Sequence, residues 1–119
     1  MLDDLPRLLL RAEGAVVALA AVTLYFSSDF PWWLLAVLAL APDLSFIGFA
    51  AGQRLGTAAY NAAHTYLVPV ALGVVGVVAG AELATQVALV WITHIGLDRA
   101  IGYGLKYPSG FKDTHLQRV

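Results

Sequence analysis

The sequence predicts an all-α protein, a four-transmembrane-helix antiparallel bundle with both termini cytoplasmic. Three observations carry that prediction. Of 119 residues, 60% are hydrophobic and only 13% charged, where a soluble domain averages roughly 45–50% and 25%; mean hydropathy is +0.75. Four apolar runs approach the ~20 residues that cross a bilayer as a helix. The basic residues are confined to alternate connections. The length allows one integral membrane domain, residues 1–119.

The first helix is expected over about 5–26, with Arg7, Arg11 and Glu13 in its early turns. Ala18-Leu19-Ala20 loosely resembles a signal-peptide cleavage site. The apolar run continues through it, and Asp3 and Asp4 are wrong for a basic leader, so the segment reads as a span. The second helix is expected over about 30–52, after the turn-forming Ser27-Ser28-Asp29-Phe30-Pro31. The third covers about 57–80, after Gly52-Gln53-Arg54-Leu55-Gly56, and the fourth about 82–107, after Gly80-Ala81-Glu82. Connections this short make sequential helices antiparallel neighbours. Residues 108–119 follow as a tail whose glycines and proline oppose a longer helix. It is read foremost as a solvated segment touching lipid headgroups, with a lid that delivers His115 as the alternative.

Arg7, Arg11, Arg54, Arg99, Lys106, Lys112 and Arg118 fall at the helix ends of one side, and the first and third loops hold no Lys or Arg. The positive-inside rule puts that side in the cytoplasm. Trp32, Trp33 and Tyr25 would then flank the first outer loop as interfacial aromatics. A net charge of -1 suggests no nucleic-acid partner, and the absence of cysteine excludes disulfides, thiolate metal sites and a Cys nucleophile. No phosphate-binding glycine loop and no Gly-x-Ser-x-Gly elbow is present.

Charged residues inside such runs are costly and by default mark function. At 1.5 Å of rise per residue, Glu13 and His64 lie about 12 and 10 Å from the cytoplasmic ends of their helices. Asp43, His94 and Asp98 lie about 14, 20 and 14 Å in. Four helices thus place polar groups at one depth, in the inner half of the membrane. His94 and Asp98, four apart, share a helix face, and Asn61 and His64, three apart, share another. Asp43, His64, His94 and Asp98 are therefore the candidate metal ligands, and Glu13 and His115 the candidate acid/base groups. Each also has a structural reading: Glu13 and Asp43 as partners of nearby arginines, His64 as an interhelical hydrogen-bonding residue, Asp98 as half of a charge pair with Arg99. Gly48, Gly52, Gly56, Gly73, Gly76 and Gly80 permit close helix contact, within one chain or in a homo-oligomer.

The strings Ala41-Pro42-Asp43-Leu44-Ser45, Tyr60-Asn61-Ala62-Ala63-His64-Thr65, His94-Ile95-Gly96-Leu97-Asp98-Arg99 and the tail from Gly104 to His115 resemble an uncharacterised bacterial domain-of-unknown-function family. The resemblance implies small four-helix integral membrane proteins with no established activity. More distantly, Pro42-Asp43, His64-Thr65 and His94 with Asp98, Tyr107 and Pro108 resemble motifs of bacterial inner-membrane metal-dependent hydrolases. A further histidine of that pattern would fall near Ala59, which cannot ligate; Asn61 is a weak substitute, and a two-metal site loses its support.

The leading expectation is a metal-dependent hydrolase of the bacterial inner membrane, acting on an amphiphilic or lipid substrate from the inner leaflet. Zinc suits its mixed nitrogen and oxygen ligands. The alternatives are a b-type haem electron carrier ligated by His64 and His94, and a small proton- or ion-coupled transporter or assembly factor.

Overall fold

In the computed structural model, which describes residues 4–119, the chain is all-α apart from one small hairpin. Its helices are α1 (Leu5–Ser27), α2 (Trp32–Leu38), a 3-10 segment (Ala41–Ala51), α3 (Gln53–His64), α4 (Leu67–Ala79), α5 (Glu82–Ile101) and a final turn, α6 (His115–Arg118). The hairpin pairs β1 (Lys106–Tyr107) antiparallel with β2 (Gly110–Thr114). Three stretches are long and apolar enough to cross a membrane: Leu5–Ser27, Trp32–Ala51 and Gln53–Ala79. The expected fourth, α5, carries Glu82, Asp98 and Arg99 and is not among them.

Two expected helices are broken, each beside a proline. Proline has no N–H, and its ring collides with the carbonyl four residues earlier. Pro42 opposes the carbonyl of Leu38, where α2 ends. The Asp43 N–H instead donates to Leu40 at 3.0 Å, in the tighter 3-10 pattern. Eleven residues of 3-10 helix follow, although such runs rarely exceed about four and often mark a functional hinge. Pro69 opposes the carbonyl of Thr65, where the backbone turns extended between α3 and α4.

Against this, α1 and α5 are unbroken and pack closely. A Cβ on Gly14 would collide with the Arg99 side chain, and one on Gly96 would meet the Gly14 carbonyl and Ala18. The small residues noted in the sequence also pack within the chain: Gly48 against Ala59, Gly73 against Ala88 and Gly76 against Thr85. Tyr25 is fully buried rather than interfacial, and its hydroxyl donates to the Pro31 carbonyl at 2.5 Å across the first loop.

The last helix stops at Ile101 rather than near 107. Gly102 takes the left-handed conformation, with φ 105°, and its N–H and that of Tyr103 close onto Arg99 and Asp98 carbonyls. The tail is not a solvated strand. The Asn61 amide clamps the Lys106 peptide from both sides, donating to its carbonyl at 2.8 Å and accepting from its N–H at 2.7 Å. The Arg7 guanidinium donates to the Leu116 carbonyl at 2.7 Å, and Leu116 is fully buried. The N-terminal end of α1 and the tail therefore share one end of the molecule.

Candidate metal centre

Asp43, His64, His94 and Asp98 meet. Asp43 comes from the 3-10 segment, His64 from the last position of α3, and His94 and Asp98 from successive turns of α5. The Asp43 Oδ1 lies 3.1 Å from the Nε2 of both histidines. The Asp98 Oδ2 lies 3.4 Å from His64 Nε2 and 3.3 Å from His94 Nε2. All four ligand atoms fall within 4.8 Å of one another.

The broken backbone decides what those atoms are. The His64 Nδ1 is 2.8 Å from the Tyr60 carbonyl and the His94 Nδ1 2.6 Å from the Ala39 carbonyl. A carbonyl only accepts, so both Nδ1 atoms carry a proton, and Nε2 is the atom that each ring turns to the carboxylates: a lone pair for a cation when the ring is neutral, a donor to Asp43 and Asp98 when it is protonated. The Ala39 carbonyl is open to His94 because Asp43, its partner in a regular helix, donates to Leu40 instead. Carbonyl-anchored imidazoles of this kind are the usual outer support of a metal-bound histidine. With both rings neutral, two lone pairs and two carboxylate oxygens share one spot, a set that a cation at its centre would hold together. Bonds of about 2.0–2.1 Å to a tetrahedral ion would set ligand atoms about 3.3 Å apart, which is the spacing of the four His–Asp edges.

The surroundings fix these positions. The end of α3 leaves carbonyls without helical partners. Trp91 Nε1 donates to Ala63 at 2.6 Å and the buried Arg99 to His64 at 3.0 Å. Arg99 thus serves the His64 backbone and the Tyr103 carbonyl, not Asp43 as a charge partner. The Tyr60 ring stacks on His64 with centroids 3.9 Å apart, and the Lys106 ammonium lies 4.4 Å from the other ring centre, that of Tyr60 itself. His64 is fully buried; of the four ligands Asp43 is the most open, with 37% of its side chain exposed.

The remaining candidates stand apart from this cluster. Glu13 is exposed on α1. The tail folds back as a lid would, but it brings Lys106, not His115, toward α3. His115 Nδ1 accepts the Leu105 N–H at 2.9 Å. Burial first, and then the Arg99 charge, hold the His115 ring below its ordinary pKa. Asn61, the weak substitute ligand, is engaged by the tail. Residues overlooked in the sequence are Trp91, Tyr60 and the carbonyls of Ala39 and Ala63; the signal that pointed to them was the pair of mid-run prolines.

The fold and this cluster define a class: a helical chain with three stretches long and apolar enough to cross a membrane, and a partly buried His–Asp group that could hold a metal ion. The chain belongs to the family described as Domain of unknown function (DUF4260), whose model matches residues 7–119. The chain matches no curated protein and no solved structure in the comparisons made.

Proposed function

We propose that this chain is a membrane-embedded, metal-dependent hydrolase acting on a lipid-like substrate that enters from the inner leaflet of the bacterial cytoplasmic membrane. The proposal includes a four-helix arrangement in which α5 completes the bundle, and both termini on the cytoplasmic side, as the distribution of basic residues favours. One observation carries it: two histidine nitrogens and two carboxylate oxygens meet across His–Asp edges of 3.1–3.4 Å, while backbone carbonyls hold the other nitrogen of each ring.

His64, His94 and Asp98 would hold the ion, and zinc suits that donor set. When bound, the ion supplies Lewis acidity and a water that ionises near neutral pH. Asp43, the most exposed ligand, is the member best placed to loosen and take a proton from that water, the work of a general base. Glu13 and His115 are not needed for this role. An apolar pocket of about 270 Å³ adjoins the cluster, lined by Leu38, Ala41, Pro42, Ala63, Val90 and Trp91. Pro42 and Ala63 immediately precede the ligands Asp43 and His64, so an acyl chain seated there would lay its polar end beside them. A haem reading has less support, because the two carboxylates occupy the space between the Nε2 atoms that a macrocycle would need.

Elemental analysis of protein purified without chelator is the first test: about one divalent ion per chain is expected, lost in His94→Ala. Hydrolysis of fatty-acyl ester and phosphodiester lipids in mixed micelles is the second, expected to stop with chelator and return with zinc. Metal-free wild-type protein, with zinc affinity unchanged in His94→Ala and Asp43→Ala, would sink the proposal.

A further inference from the structure

A second cavity, of about 700 Å³, opens where the tail meets the ends of α1 and α5. Its lining includes Arg7, Arg11, Lys106, Lys112, Thr114 and Gln117, and no carboxylate among the described residues. Four of the chain's seven basic residues therefore line one hollow, with the Lys106 ammonium turned over the Tyr60 ring. Arg7 is committed elsewhere, donating to the Leu116 and Gln117 carbonyls and pairing with Asp4 at 3.2 Å. Arg11 is tethered only through Nε, which donates to the Ala100 carbonyl at 2.9 Å. Its terminal amines have no hydrogen-bond partner among the described residues. Lys106 is nearly buried, at 7% exposure, which is uncommon for a lysine. Thr114 is 4% exposed, and its Oγ1 has no hydrogen-bond partner among the described residues. Buried hydroxyls are nearly always paired, and of the unpaired ones this is the one that lines the hollow.

We infer that this hollow is a phosphate-binding site, separate from the metal centre, in which Arg11 and Lys112 supply charge and the Thr114 hydroxyl donates to a phosphate oxygen. The phosphate group is the shared chemistry of two sources, an anionic lipid headgroup and free phosphate. Basic hollows between membrane helices are suited to anionic headgroups. Because the site is built partly from the tail, its occupant would also hold the tail against α1 and α5.

The test is calorimetric titration of the full chain in neutral detergent with inorganic phosphate, with short-chain phosphatidylglycerol and with short-chain phosphatidylcholine. One equivalent of inorganic phosphate or of phosphatidylglycerol should bind, well ahead of phosphatidylcholine; which of the two binds tells the source. Lys112 is exposed, so Lys112→Gln keeps the fold and should weaken binding about fivefold, and Arg11→Gln with Lys112→Gln about 25-fold, the loss expected for one and two charges near a membrane surface. Thr114→Val should weaken it further with helicity unchanged. Asp43→Asn should leave it intact. Failure of both anions to bind, equal binding by the double variant, or loss of binding in Asp43→Asn overturns the inference; the last would put the anion on the metal centre.

Discussion

The regular pair α1 and α5 and the broken pair formed by α2 with its 3-10 segment and α3 with α4 solve different problems. In the first, Gly14 and Gly96 remove side chains so that two continuous helices touch backbone to backbone, and small residues are the usual means of such contact in lipid. In the second, Pro42 and Pro69 interrupt the ladder inside stretches long and apolar enough to cross a membrane. Interruption is tolerated there only where other groups satisfy the freed carbonyls. His94, Trp91 and Arg99 do so, and in doing so they become ordered. The lesson is that α5 is the common ruler: one face is glued to α1, while the other reads the broken carbonyls and places the ligands.

The comparison can be broken most severely at the ligands. His94→Ala should reduce bound zinc from about one per chain to background by elemental analysis, while the Gly14–Gly96 contact keeps helicity near wild type. Next comes Gly14→Leu, which forces a side chain into Arg99 and Ala100. It should cost about 3 kcal/mol in denaturant unfolding in micelles, the upper end of the roughly 1–3 kcal/mol typical of overpacking. Pro42→Ala sharpens the contrast. It lets a regular helix reclaim the Ala39 carbonyl from His94, so zinc affinity should fall about 10–100-fold, the usual loss for an outer-sphere partner, with little change in unfolding. Trp91→Phe removes the donor to Ala63 and should cost about 1 kcal/mol.

The smallest effect concerns pH at the tail. The His115 pKa lies below its ordinary 6.5 because of burial and then Arg99. The unfolded tail therefore takes up a proton first as pH falls below 6.5, and the stability His115 contributes is present above that value and lost as pH falls toward the folded pKa. Protection of the Leu105 N–H, which His115 accepts, measured against its intrinsic exchange rate, should fall between pH 7 and 5 in wild type and not in His115→Gln. Asp113 adds no dependence in that window. The hydrogen bond from Arg118, and then that from Ser109, hold it down to about 2.

Much of the site was legible in the sequence because charged residues in apolar runs are rare enough to count. Depth from helical rise, together with the four-residue spacing of His94 and Asp98, gathered the four ligands. The carbonyls that lock the histidines were not legible, since a main-chain atom carries no letter; only the prolines hinted at them. The outer bounds of the first three apolar stretches were legible, whereas the breaks inside two of them at Pro42 and Pro69 and the stop before Gly102 were not, because composition stayed apolar while the backbone turned. The tail eluded reading because its order depends on Asn61 and Arg7, which lie 45 and 109 residues away from their partners Lys106 and Leu116.

α5 follows the other long helices in the chain and lies outside the set apolar enough to cross a membrane, yet it brings half of the ligand set and the buried Arg99. In the proposed four-helix arrangement, the groups that meet its polar residues are Asp43, His64 and the carbonyls of Ala39, Ala63 and His64. The seating of this helix would then depend on the proposed ion, and metal-depleted chains would be expected to show raised protease sensitivity at the turn before Glu82.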